Sequence, residues 1–128
     1  MNYLLDTHTF LWFIDDDVLL SGVAKALMED ANHQLYLSIA SIWEMAIKIS
    51  LGKLSLPSPY DDFIAEQLEQ NHISLYPILL SHANLVTKMP FHHRDPFDRL
   101  IIAQSLTDQI PIIGRDDIYD QYGVQRHW

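Results

Sequence analysis

Short apolar runs without polar alternation constrain the fold of this chain more than any other feature. The first run, Tyr3–Leu5, passes directly into Asp6. An unalternating run of this kind is typical of a strand buried on both faces, as in a parallel sheet. Further runs of the same kind are Leu35–Leu37, Ile73–Pro77 and Pro111–Ile113, and a terminal strand is expected over Val124–Trp128.

Helical patterns separate these runs. Ser21 is a candidate N-cap, and Ile42, Trp43 and Ala46 fall on one apolar stripe. Helices are predicted over residues 10–14, 21–28, 38–49, from Asp61 or Asp62 to 68, 81–88 and 97–108. Strands alternating with helices predict an α/β fold, an α/β/α sandwich with a mostly parallel central sheet. No repeat or internal boundary interrupts the pattern, so one domain over residues 1–128 is expected.

Composition and charge limit the classes of function. Hydrophobic residues make up 48% of the 128 residues, which is enough for a packed core. A formal charge of −9 argues against a general nucleic-acid coat protein but not against a nuclease, because a magnesium site is itself built from carboxylates. The chain has no cysteine, no apolar run of the ~20 residues that a membrane helix needs, and no signal-peptide pattern at its start. A cytoplasmic protein is expected.

Carboxylates stand where ligands collect in such folds. Asp6 and Asp116 directly follow predicted strands, Glu44 lies one turn into the helix after the second strand, and Asp98 opens the helix before the fourth strand. In open parallel sheets, ligands bind beyond the carboxyl ends of the strands. Acids this close to a core repel one another unless a cation lies between them. Oxygen ligands without thiolates favour Mg²⁺ or Mn²⁺ over zinc.

Each acid also has an ordinary structural explanation. Asp6 and Asp95 could be helix N-caps, with Pro96 at the first helical position, and Ser41 and Glu44 have the spacing of a capping box. Asp116 and Asp117 could form a turn, and Lys48 stands at the right spacing for an ion pair with Glu44. His8, His92 and His93 match no zinc motif and are interpreted as structural or phosphate-contacting, and the tryptophans as packing residues. For any single acid the structural explanation is favoured, whereas the joint pattern favours a site.

Several segments together resemble a known family. They are Leu4–His8, Ser41–Lys48, Leu51–Leu54, His92–Gln104 and the Arg115-Asp116 turn. On these segments the chain resembles the PIN-domain ribonucleases, and within them the VapC-like toxins of type II toxin–antitoxin systems. The resemblance runs from about residue 2 to the end of the chain, and the Trp43-Glu44 and Asp98 segments are its most specific parts.

The resemblance implies a metal-dependent endoribonuclease that hydrolyses RNA phosphodiester bonds. The family's acidic catalytic and metal positions fall on Asp6, Glu44, Asp98 and Asp116. Asp6 and Asp98 would hold one Mg²⁺ or Mn²⁺, Glu44 would be a further ligand or would orient its water, and Asp116 would assist directly or through water. The candidates for substrate contacts are Thr7, Lys48, Arg94 and Arg99. Many relatives carry Thr or Ser where this chain has Gly114. The implied partners are a cognate antitoxin and a second copy of the chain.

Two other classes of α/β protein fit the sequence less well. Phosphoaspartyl phosphatases need a second Asp where this chain has His8, and receiver domains need paired acids where Leu5-Asp6 supplies one. A non-catalytic acidic α/β module that docks a basic partner protein remains the alternative. The RNA target is not fixed by the sequence, since specificity would lie in the shape of the groove and the loops around it.

Overall fold

The computed structural model describes all 128 residues and contains a five-stranded sheet with the order β3-β2-β1-β4-β5. All four pairings of neighbouring strands are parallel. In chain order the elements are β1 (Asn2–Leu5), α1 (Thr7–Ile14), α2 (Gly22–Glu29), β2 (Gln34–Ser38), α3 (Ile39–Ser50), α4 (Tyr60–Gln70), β3 (Ile73–Tyr76), α5 (Leu80–Val86), α6 (Pro96–Asp108), β4 (Ile112–Ile113), a 3₁₀ helix (Asp117–Tyr122) and β5 (Arg126–His127). The predicted α/β class and parallel sheet are confirmed.

Strand β1 lies at the centre of the sheet and sends alternate side chains to opposite faces. Tyr3 and Leu5 pack in one hydrophobic cluster together with Phe10 of α1. Leu4 packs in a second cluster with Ile101 of α6. Successive residues of a strand point to opposite faces of the sheet. Because one strand contributes to both clusters, each face of the sheet is covered by helices. The layers are therefore helix, sheet and helix, as predicted. No helix is both long enough and apolar enough to cross a membrane.

Two helix starts and one helix cap differ from the sequence prediction. Helix α1 begins at Thr7 and not at residue 10 as predicted, and Asp6 is its N-cap. Helix α3 is capped by Ser38, whose hydroxyl accepts a hydrogen bond from Ala40 N–H, so the capping box of Ser41 with Glu44 is wrong. Helix α4 has Pro59 at its N-cap position, and the predicted caps Asp61 and Asp62 lie in its first turn. The 3₁₀ helix was not predicted at all.

Candidate active site

The four predicted acids all lie at the carboxyl edge of the sheet. Asp6 follows β1 and caps α1 by accepting a hydrogen bond from His8 N–H at 3.2 Å. Glu44 lies on α3, which follows β2, and Asp116 follows β4 and caps the 3₁₀ helix. Helix α6 leads into β4, so its N-terminus, with Asp98 in the first turn, lies at the same edge. Asp6 and Glu44 are buried, whereas the Asp116 side chain is 54% exposed.

The charges of Asp6, Glu44 and Asp98 act on one another. Burial, reinforced by the charges of Asp6, Asp95 and Glu44, raises the pKa of Asp98 to about 8. Burial also raises the pKa of Asp6, and the charge of Glu44 adds to the rise. Removing carboxylates from water and placing them side by side both disfavour the ionised form. The structure thus brings together three of the predicted acids, which come from three separate segments of the chain.

Asp116 is connected to this group through His93. The His93 Nε2 atom lies 2.8 Å from Asp98 Oδ2 and 3.8 Å from Asp116 Oδ2. His93 Nδ1 accepts the backbone N–H of Asp95 at 3.2 Å, so a neutral ring carries its proton on Nε2, facing the two acids. The contact with Asp98 is close but not aligned as a hydrogen bond. Asp116 also borders, with Asp6, a cavity of about 420 Å³.

Glu44 has one oxygen in use and one free. Lys48 Nζ lies 2.9 Å from Glu44 Oε2, which confirms the ion pair expected from their spacing. The hydrogen bond to Glu44 raises the pKa of Lys48. Glu44 Oε1 is buried and has no hydrogen-bond partner. A buried acceptor without a partner is costly, so a ligand that binds Oε1 would relieve that cost.

The residues present fit a divalent cation in charge and in donor type. Their oxygens include an unpartnered one, their carboxylates repel one another, and the chain has no thiolate. As the side chains stand, no three Asp, Glu or His residues are arranged to hold an ion. Instead, the Asp6 carboxylate accepts a hydrogen bond from Tyr119, and His93 lies against Asp98. The acidic group is therefore assembled, with neutral or basic side chains against its oxygens.

Two of the predicted substrate contacts are wrong. The Thr7 hydroxyl is buried and donates to Ser41 Oγ at 2.8 Å, so it ties α1 to α3 and cannot reach a substrate. Arg99 is 4% exposed, and its guanidinium donates to backbone carbonyls of the segment that precedes α6. The acceptors are the carbonyl oxygens of Pro90, His93, Val86 and Met89. Lys48 and Arg94 remain exposed enough to contact a phosphate.

Replacing Arg99 with methionine is expected to lower the free energy of unfolding by about 2–4 kcal/mol, because methionine keeps the buried stem but cannot donate to those carbonyls. Urea denaturation followed by circular dichroism measures the loss. The matched change Arg94→Met, at an exposed arginine five positions earlier, should stay within about 0.5 kcal/mol of the wild type. Equal losses in the two variants would contradict the structural role of Arg99.

The chain combines a parallel sheet that helices cover on both faces with a cluster of carboxylates at the carboxyl edge of that sheet. Both features are those of one protein family. A family model described as the PIN domain matches residues 3–125, and the chain belongs to this family. Ribonuclease VapC16 from Mycobacterium tuberculosis (strain ATCC 25618 / H37Rv) is 33% identical over 60 residues. That match covers 47% of this chain and 41% of the relative's own length.

Solved structures share the fold across the whole chain. One is the crystal structure of VapBC2 from Rickettsia felis bound to a DNA fragment from their promoter, with a TM-score of 0.72 and 11% identity, covering 99% of this chain and 98% of that chain. Another is FitAcB from Neisseria gonorrhoeae, with a TM-score of 0.66 and 18% identity, covering 100% and 97%. At these identities the likeness concerns the fold.

Tyr119 is the site residue that sequence reasoning missed. Its hydroxyl contacts the first acid from a 3₁₀ helix near the end of the chain. The one available signal was the small Gly114 at the end of a strand, five residues before an aromatic side chain. A glycine at that place leaves room for a ring, but the sequence does not say which ring occupies it.

Proposed function

We propose that this chain is a metal-dependent endoribonuclease and the toxin of a toxin–antitoxin pair, acting in the cytoplasm. The observation that carries the proposal is the convergence of Asp6, Glu44 and Asp98. The ionised forms of Asp6 and Asp98 are disfavoured by burial and by the charges of neighbouring carboxylates, Glu44 among them. A divalent cation is what such a group is suited to hold. Membership of the PIN domain family and the resemblance to a protein named as a ribonuclease support the same activity.

Each acid has a distinct part in this proposal. Asp6 and Asp98 would hold the cation, and the free Oε1 of Glu44 would bind it or orient its water. Asp116, which is more exposed, would act from the edge of the cavity. A bound Mg²⁺ or Mn²⁺ would lower the pKa of a water molecule and neutralise charge at the phosphorus.

Basic side chains would place the RNA. Lys48 is paired with Glu44 at 2.9 Å and presents its ammonium group at the site, where the charges of Asp95 and Asp98 also act on it. Arg94 is exposed one residue before the cap of α6 and would contact a backbone phosphate. These two contacts would hold the substrate without reading its bases. The choice of RNA would then depend on the surrounding loops.

The function is tested by cutting RNA and sequencing the ends. With Mg²⁺ or Mn²⁺ the protein should cleave RNA and leave 5′-phosphate and 3′-hydroxyl ends, because water would attack the phosphorus in line with the 3′-oxygen, which then leaves. Addition of EDTA should stop the reaction, and readdition of the metal should restore it. Cleavage that persists in EDTA, or products ending in 2′,3′-cyclic phosphates, would contradict the proposal. No cleavage of any RNA would favour the non-catalytic module that docks a basic partner.

The antitoxin would bind along an apolar groove next to the acidic cavity. The groove has a volume of about 490 Å³ and shares His8 and Trp12 with the cavity beside Asp6. Its other walls include Leu11, Ile14, Leu54, Leu56 and Phe63. A partner segment with apolar residues for the groove and a basic residue for the acids would fit both, and the net charge of −9 favours a basic partner.

A second copy of the chain would cover another apolar surface. The sequence predicts that Trp43 packs on the apolar stripe of its helix, but its side chain is 61% exposed and contacts Phe97 edge-to-face. It lines an apolar hollow of about 320 Å³ together with Ala83, Val86, Pro96, Phe97 and Leu100. No charged residue lines this hollow, so it offers nothing that would attract a basic partner. An uncharged apolar surface suits association with a second copy of the chain better. Light scattering of the purified protein measures the dimer.

A further inference from the structure

Tyr119 reaches the first acid because the chain has a glycine beneath its ring. The side chain is 1% exposed and points inward from the 3₁₀ helix. A Cβ atom added at Gly114 would lie 3.0 Å from Tyr119 Cε2 and 3.3 Å from Asp6 Cβ. Such contacts are tighter than ordinary packing allows. Gly114 therefore creates the space in which the ring lies against Asp6.

The Tyr119 hydroxyl lies between two acids. It donates a hydrogen bond to Asp6 Oδ1, and the nearby charge of Asp98 also acts on it. A phenolic hydroxyl has a single proton, so it can serve one carboxylate fully at any moment. The second acid then has the weaker interaction. A neutral donor between two acids stabilises their carboxylates, as a cation would, but less strongly.

The other oxygen of Asp6 is already in use. Asp6 Oδ2 accepts the N–H of His8 at 3.2 Å and caps helix α1, and the His8 ring lies 3.9 Å away. Giving up that bond would leave the start of α1 without its cap. Oδ1 is therefore the oxygen that Asp6 can offer to a cation at little cost to the fold. It is the same oxygen that Tyr119 holds.

We propose that the Tyr119 hydroxyl is a placeholder for the cation, holding Asp6 Oδ1 in the metal-free protein and leaving that oxygen when the cation binds. This inference rests on the metal site proposed above. Tyr119 is a positioning residue: it keeps Asp6 and Asp98 together before the ion arrives, and metal binding must first break its bond. The protein therefore binds metal more weakly than its acids alone would allow.

The test compares Mn²⁺ binding to Tyr119→Phe and to wild type by isothermal titration calorimetry. Phenylalanine keeps the ring over Gly114 and removes only the competing hydroxyl. We expect the dissociation constant to fall about tenfold, the effect of one hydrogen bond to a charged group. Tyr60→Phe is the matched control, because its hydroxyl donates to the Ile42 carbonyl at 3.2 Å on α3, and its affinity should not change. An unchanged or weaker affinity in Tyr119→Phe overturns the placeholder role.

A second measurement needs only the wild-type protein. Breaking the bond between Tyr119 and Asp6 changes the surroundings of a buried phenol, so added Mg²⁺ should produce a tyrosine band in the near-ultraviolet difference spectrum. The band should be absent from Tyr119→Phe at saturating Mg²⁺. Mg²⁺ that binds to the wild type without any such band overturns the proposal, whether or not the variant folds well.

The two proposals fail in different ways. If wild type binds Mn²⁺, Asp98→Asn does not, and Tyr119→Phe equals wild type, the metal site stands and the placeholder role is wrong. If wild type binds no Mn²⁺, or Asp98→Asn binds it equally well, the metal site itself is wrong and the placeholder role falls with it.

Discussion

Asp98→Asn is expected to slow RNA cleavage by on the order of a thousandfold or more while leaving the fold intact. Burial and the charges of three neighbouring carboxylates raise the pKa of Asp98 to about 8. In the proposed site Asp98 would share the cation with Asp6. Asparagine keeps the shape of the side chain at the third position of α6. It removes the charge and replaces one oxygen with a nitrogen that cannot bind a metal ion.

Single-turnover cleavage of a labelled RNA at saturating Mn²⁺ measures this effect, and circular dichroism checks the fold. Asp62→Asn is the matched control, because Asp62 is an exposed acid in the first turn of another helix, α4. Its rate should equal that of the wild type. If Asp98→Asn cleaves within about tenfold of the wild type, Asp98 is not a metal ligand, since losing a charged ligand costs far more than that.

The metal-free protein is expected to lose stability as the pH rises from about 4 to about 8. The pKa of Asp98 is 3.8 in an ordinary setting such as the unfolded chain, and about 8 in the folded protein. Between these values the folded protein holds a proton that the unfolded chain has released. The stabilisation is therefore complete below the lower value and is lost as the pH passes the higher one. Burial shifts the pKa of Asp6 in the same direction.

Urea unfolding in EDTA at pH 5 and pH 8 measures this change. We expect a loss of about 2–4 kcal/mol, less than the full shift would give because the Asp98 side chain is 21% exposed. Asp98→Asn should lose less between the two pH values and should be the more stable protein at pH 8. Saturating Mg²⁺ should restore the wild type at pH 8, since the cation replaces the lost proton. A wild type equally stable at both pH values in EDTA would show that Asp98 is already ionised at pH 5.

The sheet could be predicted from the sequence because a strand that is buried on both faces has an apolar run without polar alternation. Tyr3–Leu5 and Leu35–Leu37 are apolar without alternation, and each lies in a strand of the structure. The position of Asp6 then followed from the geometry of parallel strands alone. Asp95 was likewise expected at the N-cap of α6, and its carboxylate accepts the N–H groups of Phe97 and Asp98. Helix-capping rules predict the structure reliably where a single turn of the chain determines which hydrogen bonds form.

The side chains that connect distant segments could not be predicted. Asp98 and Arg99 are neighbours in a charged stretch. Only the packing of α6 directs Asp98 to the site and Arg99 to backbone carbonyls such as that of Pro90. Thr7 looks the same in sequence whether its hydroxyl faces a substrate or Ser41. Tyr119 lies in a 3₁₀ helix too short for any hydrophobic period. The catalytic roles of the acids and the extent of the domain stay predictions.

The central pairing of β1 with β4 has a consequence for synthesis on the ribosome. Leu4 and Leu5 pair with Ile112 and Ile113, so the middle of the sheet can close only after residue 113 has been translated. Asp116 and Tyr119 are made later still. A nascent chain therefore carries Asp6 and Glu44 without the segments that complete the acidic group. If the protein is a toxin, a nascent chain would have no complete acidic site until residue 119 has been made.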